Sequence, residues 1–369
     1  MGTRPEAIKM IPLIKVLNET HTFDVSVCCS GQHTDLIAPL WSSYSIDVHF
    51  NLKLNRQTAG LNGLMSELLP KLDSVIDQVN PDLLLIHGDT TTALAAAIAA
   101  FHRKVKIAHV ESGLRSHNLA SPFPEEANRK IIDSISNINF APTTLNQDFL
   151  IKENISKKQI FITGNTGIDM LNLIIEKNAQ LDEIIVSDIE NKHVTVNKNE
   201  NNILFTIHRR ENFGERLQAV ILAINEISTK FPNSKIFIPV HPNPNVRSQI
   251  YDKLFGIDNI FLLRPVEYEE FIVLMSMAKI IYTDSGGIQE EAPSLGIPVL
   301  ILRENTERPE GLNAGVSHLI GTDTKAIVDS YSNFYQKNEY QNQQCTVVNP
   351  YGDGSASLKI RDVLIGILT

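Results

Sequence analysis

Short apolar runs alternate with helical patterns along nearly the whole chain. In the first half, the runs Pro81–Ile86 and Lys106–Val110 are short enough to be strands, and the alanine-rich stretch Ala93–Phe101 between them favours a helix. The same alternation restarts at Ile203–Thr206 and continues to Ile297–Leu302. Strands that follow one another through helices run parallel in one sheet. The pattern therefore predicts an α/β fold built on parallel sheets.

The length of the chain and an interruption in this alternation predict two domains. With 369 residues and a hydrophobic content of 43%, the chain exceeds the size at which single cores usually divide. Few positions suited to packing occur in Ser187–Asn202, which ends in a run of asparagine and lysine. We place the junction before this stretch. The predicted N-terminal domain covers 1–168, the C-terminal domain covers 169–353, and a final helix within 354–369 packs back on the first domain.

Charge and cysteine content exclude several classes of function. The formal net charge of -9 argues against a broad nucleic-acid-binding surface. Cys28, Cys29 and Cys345 show no spacing typical of a metal site, and their odd number is typical of a reducing compartment. The longest apolar run is far too short to cross a membrane, and Met1 onward shows no signal peptide. We expect a cytoplasmic protein that binds no metal, nucleic acid or membrane.

The chain opens with a glycine turn that leads into a helix. Pro5 favours a helix start, and Arg4 and Lys9 lie beside the turn, where they can hold a diphosphate. In a doubly wound domain such a turn follows the first, central strand, yet only Met1 precedes Gly2 here. We expect that the recorded sequence begins after this strand. The alternative, an unfilled central position in the sheet, would be strongly destabilising.

A second candidate anion site follows Lys279–Tyr282, which predicts a strand. In the turn Asp284–Gly287, the aspartate or the serine can cap the helix predicted over Ile288–Leu295, and the two glycines let a ligand approach the backbone. Unpaired N–H groups at such a helix start bind phosphate. Glu290 and Glu291 add acceptors suited to sugar hydroxyls. The simpler interpretation is a tight turn followed by a solvated, charged loop.

Acidic residues recur at the predicted strand ends of the first half, at Asp89, Glu111 and Glu125. The carboxyl ends of parallel strands meet at one edge of a sheet, so these carboxylates are suited to proton transfer. Each residue also has a simpler interpretation. Asp89 could be only a helix cap, and Glu125 only an acid in the first turn of a helix.

Basic residues end predicted strands in the second half. His208, Arg209 and Arg210 follow Ile203–Thr206 and are suited to a leaving diphosphate, or else form a surface salt-bridge network. His241 ends another predicted strand, where a purely structural role is common. The two halves thus supply acids from one domain and phosphate-binding groups from the other. We expect a nucleotide-linked substrate in the cleft between them.

Ten runs of residues, in order and spread over nearly the whole chain, resemble the bacterial non-hydrolysing UDP-N-acetylglucosamine 2-epimerases. They are GTRPEAIKM, SGQH, HGDTTTALAAA, HVESGLRS, PFPEEANR, TGNTGID, HRREN, PVHPNP, SGGIQEEAPSLGIPVL and ENTERPEG. The resemblance implies two Rossmann-like domains in the glycosyltransferase-B arrangement, a homodimer and no organic cofactor. It also implies interconversion of UDP-N-acetylglucosamine (UDP-GlcNAc) and UDP-N-acetylmannosamine (UDP-ManNAc), which supplies N-acetylmannosamine (ManNAc) for cell-surface polysaccharide.

The resemblance also implies roles for individual residues. The catalytic group would comprise Asp89, Glu111, Glu125 and His208. Substrate and UDP contacts would come from Arg4, Lys9, Arg129, Phe271, Ser285, Gly286, Gly287, Glu291 and Arg308. The residues that resemble a regulatory substrate pocket of some members are Gln32, His33, Arg56, Gln57, Glu126, Arg209 and His241. The reaction would proceed by loss of UDP to 2-acetamidoglucal and its return after protonation on the opposite face.

Three other functions remain open. A hydrolysing epimerase would release UDP and ManNAc, but the continuation Pro5-Glu6-Ala7 resembles the non-hydrolysing branch more closely. A glycosyltransferase can have the same fold, but it needs an acceptor site. A sugar-nucleotide sensor would bind its ligand without turnover, so removing its carboxylates would abolish no reaction.

Overall fold

The computed structural model describes residues 1–31, 34–54, 60–209, 212–241, 243–337 and 348–368. Contacts divide the chain into two units: unit 1 comprises Met1–Met170 and Tyr351–Thr369, and unit 2 comprises Leu171–Pro350. The predicted junction after residue 168 lies two residues before this division. Within the described ranges, no helix combines the length and the apolar character that a membrane crossing requires.

Unit 1 contains two parallel sheets with helices. Its helices before the division are α1 (Arg4–Glu19), α2 (Thr34–Ser43), α3 (Gly60–Val79), α4 (Thr91–His102), α5 (Glu125–Ile135), α6 (Thr144–Lys152), a short 3₁₀ helix (Lys157–Gln159) and α7 (Thr166–Lys177), which runs on into unit 2. One sheet pairs β1 (Cys28–Cys29) with β2 (Phe50–Asn51). The other has the order β3 (Leu83–His87), β4 (Lys106–Val110), β5 (Ile138–Ala141) and β6 (Ile160–Ile162).

Unit 2 contains a six-stranded parallel sheet and a two-stranded antiparallel hairpin. Its strands are β7 (Glu183–Ser187), β8 (His193–Asn197), β9 (Asn201–Thr206), β10 (Ser234–Pro239), β11 (Ile260–Leu263), β12 (Ile280–Thr283), β13 (Val299–Ile301) and β14 (Ser317–Leu319). Its helices are α8 (Glu215–Lys230), α9 (Pro244–Leu254), α10 (Tyr268–Ser276), α11 (Gly286–Glu291), a 3₁₀ helix (Ala292–Leu295), α12 (Pro309–Asn313) and α13 (Thr324–Lys337).

The strand order of unit 2 places a switch point beside its candidate site residues. The six-stranded sheet has the order β11-β10-β9-β12-β13-β14, and its neighbouring strands are parallel. The chain moves outwards from β9 in one direction and then restarts at β12 in the other. Open parallel sheets bind ligands at such a point, beyond the carboxyl ends of the two strands. The stacked rings of Phe205 and Tyr282, with centroids 4.4 Å apart, hold β9 and β12 together in the core.

The last helix, α14 (Ala356–Leu368), belongs to unit 1 and packs against α1. The carboxylate of Asp169 accepts hydrogen bonds from the backbone N–H groups of Ala356 and Ser357, at 3.2 and 2.7 Å. Burial raises the pKa of Asp169 although these bonds act in the opposite direction. Asp169, near the end of the first segment of unit 1, therefore accepts hydrogen bonds from backbone N–H groups at the start of α14 that have no partner within the helix.

The α/β fold with parallel sheets is confirmed, but three local predictions were wrong. Ser187–Asn202 contains β8, which forms an antiparallel hairpin with β7, because Val194 and Val196 alternate towards a buried face. The helix predicted over Ile288–Leu295 begins earlier, at Gly286, and is an α-helix only as far as Glu291; Ala292–Leu295, which include Pro293, form a 3₁₀ helix because proline disfavours the α-helical hydrogen-bond pattern. The weak alternation of Val25–Ser30 predicts a strand over these residues, but the strand is limited to Cys28–Cys29, where it pairs with the two-residue β2.

Candidate functional site

Glu111 lies at the carboxyl end of β4, in a left-handed backbone conformation with φ of 69°. Its Oε1 is 2.6 Å from the Lys9 ammonium, and its Oε2 is 2.8 Å from Nε2 of His87. Burial by itself raises the pKa of the Glu111 carboxyl, but Lys9 and His87 outweigh it and lower this pKa well below the usual range. Glu111 is therefore a buried carboxylate at neutral pH, in a backbone conformation that is strained for a residue with a side chain.

Asp89 follows β3 and lies beside α5. The side chain that caps α4 is Thr90, whose Oγ1 accepts a hydrogen bond from the N–H of Ala93 at 3.1 Å. The interpretation of Asp89 as only a helix cap is therefore wrong. Its carboxylate instead lies 2.6 Å from Nη2 of Arg129, and its backbone carbonyl accepts a 2.7 Å bond from the amide of Asn128. This ion pair places Arg129, a predicted substrate contact, beside Asp89, a predicted catalytic acid.

Glu6 connects the glycine turn of α1 to the loop that carries Asp89. Its Oε2 accepts hydrogen bonds from the N–H groups of Gly2 and Thr3, at 2.9 and 2.7 Å. Its Oε1 accepts a 2.7 Å bond from the hydroxyl of Thr90. The side chain is buried. Because of these bonds, the turn before Arg4 and the start of α4 are held as one piece.

A buried charged network supports the loops of Asp89 and Glu111. Asp133 has no exposed side-chain surface, and its carboxylate lies 2.6 Å from Nδ1 of His109 and 2.7 Å from Nη2 of Arg115. It also accepts a 2.6 Å bond from the hydroxyl of Ser112. The other ring nitrogen of His109 lies 2.8 Å from the carbonyl oxygen of Gly88. His109 thus contacts Gly88, the residue before Asp89. Through Asp133 it is also connected to Ser112, the residue after Glu111.

The charges around Asp133 determine its ionisation. Burial by itself raises the pKa of Asp133, but His109 and Arg115 together with the Ser112 hydroxyl hold it below its usual value. Arg115 also contacts Glu153, at 2.6 Å. The network is an ionised cluster in the interior, and each of its charges depends on the others for compensation.

The two acids at the start of α5 have different surroundings. Glu125 is the first residue of the helix and is half-buried, a position that suits both the first-turn and the catalytic interpretation. Glu126 is fully buried, and its two carboxylate oxygens accept bonds from the N–H groups of Ser116 and His117, at 2.9 and 3.1 Å. In this conformation Glu126, which was predicted to line a regulatory pocket, ties the loop after Glu111 to α5.

In unit 2, Asp284 organises the switch point between β9 and β12. Of the two candidate caps, Asp284 and Ser285, Asp284 does not cap α11, because its buried carboxylate reaches across to the loop after β9. It accepts hydrogen bonds from the N–H groups of His208 and Arg209, at 3.1 and 2.9 Å, and from the amide of Asn212, at 2.9 Å. It also lies 2.9 Å from Nδ1 of His208.

These contacts determine which nitrogen of His208 can act on a ligand. Burial by itself raises the pKa of Asp284, but the hydrogen bond and the charge of His208 hold it below its usual value. Because Asp284 contacts Nδ1, Nε2 is the ring nitrogen of His208 that can give a proton to a ligand or take one from it. The side chain of His208 is 43% exposed, so a ligand can reach it. The ring of His241 stacks beside it, with centroids 6.4 Å apart.

Two guanidinium groups flank the turn between β12 and α11. A Cβ built on Gly286 would lie 3.6 Å from Nη2 of Arg308 and 3.8 Å from Nη2 of Arg209. Arg308 also pairs with the buried carboxylate of Glu290. A Cβ on Gly287 would meet no described atom within 4 Å. Arg209, predicted for the regulatory pocket, therefore lies beside the predicted phosphate site.

Four further residues predicted to contact the substrate lie on or beside helices α1, α10 and α11. Arg4 begins α1, and Phe271 lies half-buried in α10. Ser285 precedes α11 and makes no side-chain cap bond, while Glu291 accepts a 2.8 Å bond from the hydroxyl of Tyr268. The predictions that lie outside the described residues are those for Gln32, His33, Arg56 and Gln57.

The sequence interpretation missed two functional candidates, His87 and Asp133. His87 was treated only as the residue after a buried strand. In the parallel register of β3 and β4, however, His87 lies opposite Val110, directly before Glu111. Correct pairing of these two strands would have been enough to place the two side chains together. Asp133 lies on α5, and no strand pairing or sequence motif marked it as a functional candidate.

The sequence matches a known enzyme family over most of its length. Residues 15–365 match the UDP-N-acetylglucosamine 2-epimerase family. The chain belongs to this family. The family's enzyme from Campylobacter jejuni is 44% identical over 367 residues, which cover 99% of this chain and 96% of that protein. The resemblance seen in the ten sequence runs is thus confirmed.

Solved structures of the epimerase family share the fold. UDP-GlcNAc 2-epimerase from Neisseria meningitidis, bound to UDP-GlcNAc, is 40% identical with a TM-score of 0.85, covering 99% of this chain and 98% of that one. The enzyme from Methanocaldococcus jannaschii, in complex with UDP-GlcNAc and UDP, is 31% identical with a TM-score of 0.77 over the same shares. The fold class expected from the resemblance is therefore confirmed as that of the epimerase family.

Proposed function

We propose that this chain is a non-hydrolysing epimerase that interconverts UDP-GlcNAc and UDP-ManNAc. Membership of the family supports the epimerase activity and the substrate. The observation that carries the proposal is the buried Glu111 carboxylate, which Lys9 and His87 keep ionised. A buried, charged carboxylate at a strand end is a proton acceptor that water does not reach easily.

The chemistry requires both a base and a site for a leaving anion. The proton on C2 of the sugar is not acidic, because C2 is not next to a carbonyl group. Cleavage of the C1–O bond sends its electron pair to UDP and builds positive charge at C1, which acidifies the C2 proton. A base then removes this proton, and the C–H electrons form the C1–C2 double bond of 2-acetamidoglucal. Protonation of C2 from the opposite face and return of UDP to C1 complete the inversion.

Unit 1 supplies the groups that handle the proton. Inversion at C2 needs one proton-handling group for each face of the sugar. Glu111 is one of them, and Asp89, oriented by Arg129, or Glu125 is the other. Lys9 balances the charge of Glu111 and is placed to favour negative charge that develops nearby.

Unit 2 supplies the groups that stabilise departing UDP. Arg209 and Arg308 flank Gly286, where a diphosphate can accept charge-assisted hydrogen bonds. His208, oriented by Asp284, can donate a proton or hydrogen bond from Nε2 to a phosphate oxygen. Retention of UDP between its departure and its return is what separates the non-hydrolysing reaction from hydrolysis. We also propose the homodimer and the supply of ManNAc for polysaccharide that the resemblance implies.

Proton and phosphorus NMR of the purified protein with UDP-GlcNAc in heavy water tests this function. We expect UDP-ManNAc with deuterium at C2, because the proton that is removed exchanges with solvent before another is delivered. Free UDP together with ManNAc would identify a hydrolysing enzyme instead. Binding without any conversion would favour the sensor interpretation, and conversion without deuterium at C2 would exclude the elimination mechanism.

Replacing Arg308 with alanine should weaken UDP binding by about 10- to 100-fold, the value of one or two charge-assisted hydrogen bonds. Arg308→Lys should recover only part of the affinity, because an ammonium cannot reproduce the guanidinium fork. Isothermal titration with UDP measures the effect. The matched control is Arg247→Ala on the exposed side of α9. Equal affinity for UDP in the Arg308→Ala and Arg247→Ala variants would show that Arg308 does not hold the diphosphate.

A further inference from the structure

His109 lies on β4, and its side chain has no exposed surface. Both of its ring nitrogens have a partner. Nδ1 lies 2.6 Å from Oδ1 of Asp133, and Nε2 lies 2.8 Å from the carbonyl oxygen of Gly88. The ring is therefore held from two sides, by α5 and by the loop after β3.

These two partners determine the protonation of the His109 ring. A carbonyl oxygen can only accept a hydrogen bond, so Nε2 carries a hydrogen. The Asp133 carboxylate pairs with the Arg115 guanidinium at 2.7 Å and accepts a bond from the Ser112 hydroxyl, so it is ionised and also only accepts. Nδ1 therefore donates as well. A ring that donates from both nitrogens is an imidazolium cation.

The groups around His109 compensate this buried charge. Asp133 lies between the two buried cations, His109 and Arg115. Arg115 also pairs with Glu153 at 2.6 Å, and Glu153 pairs with Lys130 at 3.0 Å in partial contact with solvent. A buried cation is costly unless it is paired and hydrogen-bonded. Both conditions are met here.

The bond from His109 completes the fixation of Gly88, the residue before Asp89. Gly88 has a left-handed backbone conformation with φ of 68°, and its N–H donates a 3.0 Å bond to the carbonyl oxygen of Val110. Its carbonyl oxygen accepts the bond from Nε2 of His109. Both backbone groups of Gly88 are thus bonded to β4, the strand that leads directly to the other candidate base.

We propose that the His109 imidazolium is a positioning residue for the epimerase reaction, and that it fixes the peptide group before Asp89 relative to Glu111. This role rests on the proposed function, because inversion at C2 needs two proton-handling groups in a defined geometry. Through Asp133, the same ring is connected to Ser112, the residue after Glu111. Because His109 is fully buried, it acts only through these neighbours, and Asp89 is the second proton-handling group.

Two amide replacements separate the two bonds of His109. The amide nitrogen of asparagine lies near the position of Nδ1, so His109→Asn can keep the bond to Asp133 but loses the bond to Gly88. The amide nitrogen of glutamine reaches further, near the position of Nε2, so His109→Gln can keep the bond to Gly88 but loses the bond to Asp133. Both variants remove the same positive charge. His102→Asn, at the exposed end of α4, is the control.

We expect His109→Asn to lower kcat for UDP-GlcNAc by about 10- to 100-fold, because small displacements of reacting groups have effects of this size. His109→Gln should lose less of its rate but more of its Tm, since the buried Asp133 then loses a charged partner. Affinity for UDP should change little in either variant, because the guanidinium groups at Gly286 lie in unit 2. A purely structural role would place kcat and Tm in the same order. That result, or equal kcat in the two variants, would overturn the proposal.

Two further measurements do not depend on turnover. Nitrogen NMR of protein labelled at its histidine rings should show two protonated nitrogens for His109 at neutral pH, and the spectrum of His109→Asn identifies its signals. Hydrogen exchange of Gly88–Thr90 should be at least about tenfold faster in His109→Asn than in His109→Gln. A ring nitrogen of His109 without a proton, or equal exchange in the two variants, would overturn the proposal. If both measurements gave the expected result but the parent chain turned over no UDP-GlcNAc, the proposed epimerase activity alone would be wrong.

Discussion

Replacing Glu111 with glutamine is expected to lower kcat by about 10²- to 10⁴-fold, the usual contribution of a positioned general base. The amide keeps the shape of the side chain but cannot accept the C2 proton. Affinity for UDP should change little, because the guanidinium groups at Gly286 lie in unit 2. Phosphorus NMR measures the turnover of UDP-GlcNAc, and deuterium incorporation at C2 reports proton abstraction separately.

The control for Glu111→Gln is Glu19→Gln, which removes an exposed carboxylate at the end of α1. This variant should turn over like the parent chain. A thermal melt of each variant separates loss of catalysis from loss of folding. If folded Glu111→Gln retained more than a tenth of the parent kcat, Glu111 would not be the base. Because its pKa is held well below the usual range, Glu111 should also cause no loss of rate between neutral and mildly acidic pH.

Replacing Asp133 with alanine is expected to lower the free energy of unfolding by about 3–5 kcal/mol, the usual result of removing one partner of a buried ion pair. Arg115 and His109 would keep their buried positions but lose the carboxylate that both contact. For a unit of this size the loss corresponds to a fall in Tm of about 6–20 °C. Urea unfolding at neutral pH and a thermal melt measure the two quantities.

The control for Asp133→Ala is Asp148→Ala, which removes an exposed carboxylate on α6 and should leave the Tm nearly unchanged. Similar melts for the two variants would show that the network does not stabilise unit 1. The pKa of Asp133 is lower in the folded state than its usual value. Its contribution is therefore present above the usual pKa and is lost as the pH falls through the folded pKa. The difference between Asp133→Ala and the parent chain should narrow in acid.

Local patterns predicted the fold well because they report on local structure. The apolar run Lys106–Val110 is observed as β4 with the same bounds. The hairpin of β7 and β8 was missed because exposed positions alternate with its buried valines, which makes the stretch look polar as a whole. Pro293 ended α11 earlier than predicted, although proline is itself a local signal for such an end.

Sequence alone determined the α/β class, the family and the identity of the charged groups at the strand ends. It could not determine which of those groups are paired. Lys9 and Glu111 are 102 positions apart in the chain, and Asp284 reaches the N–H of His208 across 76 positions. The protonation state of each carboxylate depends on its burial and on the charges of such distant partners. The tertiary structure therefore decided that Glu111 is ionised and that Asp284 orients His208.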